Sequence, residues 1–175
     1  LIVSYSIFSV LEKEYNFNFG TTKFFAGHSL GEYSALVCSE SLKFNDALFL
    51  LFERGKAMQE SVPVGQGSMI AVLGSTISEL KSLIKKIDTK GVCEIANDNA
   101  EGQVIISGDI NSIDSLKTIL TNNKNKFIPS NVSAPFHCSL MTHAAKKMQD
   151  KINSIDFKKP KFDIVSNVTS EPVNN

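Results

Sequence analysis

Little in this chain supports a metal centre, a disulfide framework or a membrane span. Its 175 residues include only three cysteines, Cys38, Cys93 and Cys138. An odd number at no metal-ligand spacing points to free thiols in a reducing, cytoplasmic setting. Long apolar runs are absent. Residues 1–10 come nearest, but Ser4, Ser6 and Ser9 interrupt them and Glu12-Lys13-Glu14 follow. That pattern predicts a core helix, with no signal peptide and no bilayer crossing. Net charge is absent as well. Eighteen basic residues balance eighteen acidic ones, which gives no reason to expect a nucleic-acid partner. There are no internal repeats and no low-complexity tract. Histidine is scarce, with His28, His137 and His143 the full complement.

What is present begins with size and core-forming material. The length suits one domain, and twelve phenylalanines can supply a core. Charge is uneven locally: between Lys124 and Lys161 lie eight lysines and only two acids, Asp150 and Asp156. Two readings stay open for that stretch, a solvated surface and a docking patch for an acidic partner. Leu1 is not a methionine, the chain opens inside an apolar helix, and it stops soon after Asn167-Val168-Thr169. Both ends are expected to be cut from a longer protein.

The pattern along the chain predicts an α/β fold. Residues 1–15 read as a helix, 22–26 as a buried strand, 30–39 as a second helix and 46–60 as a third capped by Asn45. Pro63, Gly65 and Gly67 then break the rhythm. Residues 68–74 read as a strand. A helix capped by Thr76, with Glu79 completing a capping box, carries Ile77, Leu80, Ile84 and Ile87 at helical spacing. Two strands at 92–96 and 103–107 are joined by a polar loop over 97–102. Ile113, Leu116 and Leu120 mark a helix capped by Ser112, and residues 126–130 a last strand. The β-α-β-β-α-β order over 68–130 is the ferredoxin-like pattern. The expected organisation is therefore a discontinuous core of residues 1–62 and 131–175, incomplete at both ends, with a ferredoxin-like subdomain at 63–130. The core resumes with a helix at 142–152 and a strand at 162–167.

The chemistry-bearing stretch is Phe24-Phe25-Ala26-Gly27-His28-Ser29-Leu30-Gly31-Glu32-Tyr33. It reads as a strand entering a sharp turn with Ser29 at the tip and a helix behind it, the G-x-S-x-G nucleophile elbow. Gly27 and Gly31 are both expected where a side chain would collide. The helix N-terminus directs unpaired N–H groups at whatever sits on Ser29. A serine so placed is built to be acylated, although a five-residue pattern with three fixed positions also arises by chance. Ser29 needs a base. His28 is adjacent and points elsewhere, and His143 lies in a predicted helix. His137, in Ser133-Ala134-Pro135-Phe136-His137, sits in a loop that Pro135 stiffens. It is the candidate to take the serine proton and return it to a leaving group. Arg54 shares a helix stripe with Ala47, Leu51 and Met58. Either its head reaches solvent or pairs with Asp46 or Glu60, or it is a fork for a substrate carboxylate. Asn97-Asp98-Asn99 is either a simple turn or a source of ligand hydrogen bonds.

Together these residues resemble the malonyl-CoA:acyl carrier protein transacylases of bacterial fatty acid synthesis, whose fold also serves polyketide synthase acyltransferase domains. The resemblance rests on five ordered blocks: residues 27–36, Arg54-Gly55-Lys56-Ala57-Met58-Gln59, Gly67-Ser68-Met69-Ile70-Ala71-Val72-Leu73-Gly74, Gly102-Gln103-Val104-Ile105-Ile106-Ser107-Gly108, and Ser133-Ala134-Pro135-Phe136-His137-Cys138. It implies an α/β-hydrolase-like parallel-sheet core with an inserted ferredoxin-like subdomain. It implies Ser29 as nucleophile, His137 as general base and acid, and the Leu30 N–H as an oxyanion donor. Arg54 would bind the malonyl carboxylate, with His28, Met58 and Asn99 completing the substrate-binding set. No bound cofactor is implied. Malonyl-CoA is substrate, acyl carrier protein the partner, and the expected state a cytoplasmic monomer. Phe136 beside His137 resembles the malonyl-selective polyketide acyltransferases. The family's first-strand Gly-Gln-Gly-Ser-Gln segment has no equivalent here. Gly65-Gln66-Gly67-Ser68 lies after the arginine helix. Three rivals remain: a serine hydrolase or thioesterase of α/β-hydrolase type, a polyketide synthase acyltransferase domain, and a truncated non-catalytic piece.

Overall fold

A computed structural model describes residues 1–174. Packing divides them into two compact units, residues 1–53 with 149–174, and residues 54–148. The divisions fall inside two helices. The expected ferredoxin-like segment, 63–130, lies wholly within the second unit.

The first unit opens with α1 (Ile2–Lys13), continues through β1 (Phe24–Phe25) and α2 (Leu30–Cys38), and takes in the first part of α3 (Phe44–Ser61). It closes with the end of α6 (Thr142–Asn153), then β6 (Asp163–Val165) and β7 (Pro172–Val173). β6 lies between β1, which it pairs in parallel, and β7, which it pairs antiparallel. Aromatic rings bind this unit. Phe8 stacks on Phe19 with centroids 4.4 Å apart, Tyr5 meets Phe44 at 4.8 Å, and Phe25 meets Phe162 edge-on at 5.0 Å. The expectation of a core helix at the N-terminus is corrected here. No residue of α1 is buried, because only the Tyr5 and Phe8 stripe meets other rings, while Ile2 and Val3 are 62% and 72% exposed.

The second unit is built on a four-stranded antiparallel sheet of β2 (Gly67–Leu73), β3 (Cys93–Ala100), β4 (Gln103–Asp109) and β5 (Lys126–Pro129), in the order β3-β4-β2-β5. Helices α4 (Ile77–Ile84) and α5 (Ile110–Asn122) complete the β-α-β-β-α-β order that the sequence predicts. Period-2 alternation sends Ile70, Val72, Val104 and Ile106 to one face. There they bury fully against Leu80, Ile113, Leu116 and Leu120 of the two helices. A second cluster joins Ala57, Met58 and Val62 of α3 to Met141 and Ala144, with Phe136 and Leu140 packed on it.

Two local readings change. Residues 97–100 belong to β3 and not to a loop; only Glu101-Gly102 turn the hairpin, with Gly102 at φ +71°. Register shifts at Ile95/Asn97 and Asp98/Ala100 carry these polar residues within the ladder as bulges. The cap of α5 is Asp109, not Ser112. Its carboxylate accepts from the Ser112 N–H at 3.0 Å and from the Val92 N–H at 2.6 Å. Gly91 permits this approach, since a Cβ there would stand 2.0 Å from the Asp109 carboxylate.

Burial pushes the Asp109 carboxyl up, but the bonds from Ser112 and Val92 outweigh it and hold the group below the usual carboxylate range. A depressed folded pKa stabilises above the unfolded value, and that stabilisation is lost as pH falls through the folded one. Asp109→Ala is expected to cost about 1–2 kcal/mol in urea unfolding at neutral pH. Asp109→Asn, which still accepts, is expected to flatten the acid limb of the stability curve.

Candidate functional site

The elbow forms as the sequence predicts. β1 ends at Phe25 and α2 begins at Leu30, with Ser29 as its N-cap residue. Ser29 adopts φ 53° and ψ −106°, a strained conformation for a residue with a Cβ. The tightness comes from Gly27, where a Cβ would lie 2.0 Å from both the C and O of Gly31. The expectation for Gly31 is corrected: a Cβ there meets nothing within 4 Å. The close approach is one-sided, with the Gly31 backbone as the obstacle and Gly27 as the residue that must lack a side chain. Leu30 heads α2, so its N–H is among the amides without an intrahelical acceptor. It and His28 are exposed, and Ser29 is half-buried.

Asn167, two residues beyond β6, joins this elbow and is the residue that motif reading missed. Its Oδ1 accepts from the Ser29 N–H at 2.6 Å, its Nδ2 donates to the Gly27 carbonyl at 2.7 Å, and its own N–H reaches Glu32 Oε1 at 3.3 Å. The parallel register, Phe24 opposite Asp163 and Phe25 opposite Ile164, brings the segments after β1 and β6 out at the same strand ends.

The second unit carries His137, Arg54, Met58 and Asn99. The His137 loop is firmly anchored. Ala134 and Pro135 are buried, and a Cβ on Gly67 would collide with the Pro135 ring at 2.3 Å, so β2 starts flush against that ring. His137 takes φ 59°. Cys138 Sγ donates to the Pro135 carbonyl at 3.2 Å and lies 3.6 Å from Ser107 Oγ. The Glu94 carboxylate receives the Ser139 N–H and hydroxyl, both at 2.7 Å. Glu94, on β3, is a further residue with no sequence signal. Burial pushes the Cys138 thiol up, against hydrogen bonds that pull it down. Burial pushes Cys93 up to about 12 and Cys38 up to about 11.

Arg54 is the chain's only arginine and is half-buried on α3, a turn from the buried Leu50 and Met58. Met58 packs in the apolar cluster that also holds Phe136, the neighbour of His137. Asn99 is exposed on the bulged end of β3. Glu60, one partner considered for Arg54, pairs with Lys147 at 2.8 Å. Lys151 likewise pairs with Glu53 at 3.2 Å and lies over the Phe49 ring, and Lys161 pairs with Glu40. Three of the eight lysines between residues 124 and 161 are thus tied into the fold. No helix among the described residues is long and apolar enough to cross a membrane.

Comparison with known proteins agrees with this architecture. Residues 19–175 match the acyl transferase domain family. The malonyl CoA-acyl carrier protein transacylase of Bacillus subtilis (strain 168) is 40% identical over 153 residues, 86% of this chain and 48% of that protein. The acyl-carrier-protein-S-malonyltransferase of Bartonella henselae superposes with a TM-score of 0.93 at 35% identity, over 99% of this chain and 55% of that one. A malonyl-transacylase solved in complex with a type II PKS acyl-carrier protein superposes at 0.92 with 34% identity, over 98% and 55%. The chain spans about half the length of the curated relatives it matches.

Gly27→Ala is expected to lower stability by at least ~2 kcal/mol, because backbone and not a flexible side chain must yield. Gly31→Ala should be neutral or stabilising by up to about 1 kcal/mol. Urea titration of both variants distinguishes them. Glu94→Ala should cost about 1 kcal/mol through Ser139, read the same way.

Proposed function

The chain belongs to the acyl transferase domain family, and on that premise we propose that it carries the serine half-reactions of malonyl transfer from malonyl-CoA to acyl carrier protein. The observation that supports this most directly is the elbow, which sets a strained serine on a helix N-terminus behind a close Gly27–Gly31 approach. In the first step His137 takes the Ser29 hydroxyl proton as Oγ attacks the thioester carbonyl. The negative charge that develops on the carbonyl oxygen is held by the Leu30 N–H. The carbon–sulfur bond then breaks, the coenzyme A thiolate receives the proton from His137, and malonyl-Ser29 remains. In the second step the phosphopantetheine thiol of acyl carrier protein attacks the ester carbonyl. Its proton passes by His137 to Ser29 as the ester bond breaks.

Arg54 gives the reaction its selectivity in this reading. A guanidinium pairs with the free malonyl carboxylate in two parallel hydrogen bonds, which an acetyl group cannot supply. His28, Met58 and Asn99 belong to the same proposed substrate-binding set, Met58 through the packing that fixes the Arg54 helix. The proposed setting is a cytoplasmic monomer that needs no bound cofactor. The lysines of the C-terminal third that the fold does not use as clamps would face the acidic carrier protein. A hydrolase is less well supported than a transferase, because a plain hydrolase has no use for an arginine on the helix after the elbow.

The test is intact-mass measurement after mixing malonyl-CoA with the protein expressed at the full length of its gene. A malonyl adduct that maps to Ser29 and vanishes in Ser29→Ala is expected; an adduct surviving that change overturns the assignment. Arg54→Ala should reduce malonyl transfer at least tenfold more than acetyl transfer. Equal losses would remove the carboxylate-fork role.

A further inference from the structure

The sequence at the tip of the elbow contains a conflict. Ser29-Leu30-Gly31-Glu32 is a capping-box sequence, with serine at the N-cap and glutamate three residues on. In a closed capping box the serine hydroxyl accepts from the glutamate N–H, and the glutamate carboxylate accepts from the serine N–H. That geometry is locally favourable and puts the N-cap residue in the extended region of backbone space. It would also spend the Ser29 hydroxyl on the helix behind it.

The structure holds the box open. Ser29 is at φ 53° and makes no side-chain cap bond. The Glu32 N–H goes to the Ser29 carbonyl at 3.1 Å instead of its hydroxyl. The Ser29 N–H, the donor that Glu32 would take in a closed box, goes to Asn167 Oδ1 at 2.6 Å. The Glu32 carboxylate is turned to the Asn167 N–H at 3.3 Å. The other end of the same carboxamide holds the Gly27 carbonyl at 2.7 Å. Asn167 therefore occupies both partners of the alternative state, and it bridges the peptide groups on either side of His28. Its side chain is exposed, so its role is not to fill the core.

We propose that Asn167 is a positioning residue that keeps the capping box open, holding Ser29 in its strained conformation with the hydroxyl directed away from Glu32. Without it, Ser29 relaxes toward the extended region and its hydroxyl caps α2. The catalytic consequence rests on the acylation reading above; the conformational one does not. Because Asn167 also takes the Ser29 N–H, the Leu30 N–H becomes the first elbow amide open to a developing oxyanion.

Asn167→Ala tests this in two ways. The crystal structure of the variant should show Ser29 at negative φ with Oγ within hydrogen-bond distance of the Glu32 N–H. An unchanged positive φ overturns the proposal, whatever the protein's reaction. In acylation by malonyl-CoA, kcat should fall on the order of tenfold to a hundredfold, as a misplaced nucleophile does, with KM within twofold of wild type. The double variant Asn167→Ala, Glu32→Ala weakens the closed box and should recover several-fold of that loss, which a merely structural defect would not do. A single variant at wild-type kcat, or a double variant no faster than the single, overturns the proposal. No adduct on the wild-type protein would instead overturn the reaction assignment and leave the conformational result to stand.

Discussion

The first unit depends on the parallel pairing of β1 with β6. The strands are only two and three residues long, yet their register delivers two loops to one edge. The loop after β1 carries Ser29, and the segment after β6 carries Asn167. Parallel neighbours release their following segments on the same side, whereas an antiparallel pair would send them to opposite ends. The hydrogen bonds that brace the elbow therefore follow from strand direction. The aromatic rings of Phe8, Phe19, Phe25 and Phe162 hold that short pairing in place.

The second unit solves a similar problem by other means. His137, like Ser29, is a non-glycine residue at positive φ, and such conformations persist only where the surroundings determine them. Around His137 the determinants are the buried Ala134 and Pro135, the Gly67 backbone against the proline ring, and Glu94 gripping Ser139. The β-α-β-β-α-β sheet therefore does more than close its own core. Its first strand and its β3 edge are the surfaces that brace the loop carrying His137.

Much of this was legible in the sequence. The elbow, the β-α-β-β-α-β order, the stripe through Ala47, Arg54 and Met58, and the proline before His137 all rest on local rules of spacing and turn chemistry, and those rules act within a few residues. What escaped was non-local or ambivalent. Asn167 and Glu94 are single polar residues whose partners lie 138 and 45 positions away, and no window contains both ends. Asn97-Asp98-Asn99 has turn composition, but the ladder with β4 absorbs it through bulges. Asp109 and Ser112 both suit a cap, and the choice is made by Val92, which needs a carboxylate from the same residue. Residues 1–10 have the composition of a buried helix, while packing engages only one of its stripes.

The separation of Ser29 from Asn167 also bears on synthesis. A ribosome makes Gly27, Ser29 and Glu32 within moments of one another, long before Asn167 is added. Asn167, which takes the Ser29 N–H, arrives only after another 138 peptide bonds have been made, and it engages only once β6 has docked beside β1. Until then the elbow lacks the side chain that joins the Ser29 N–H to the Gly27 carbonyl, so its observed backbone geometry is a late product of folding.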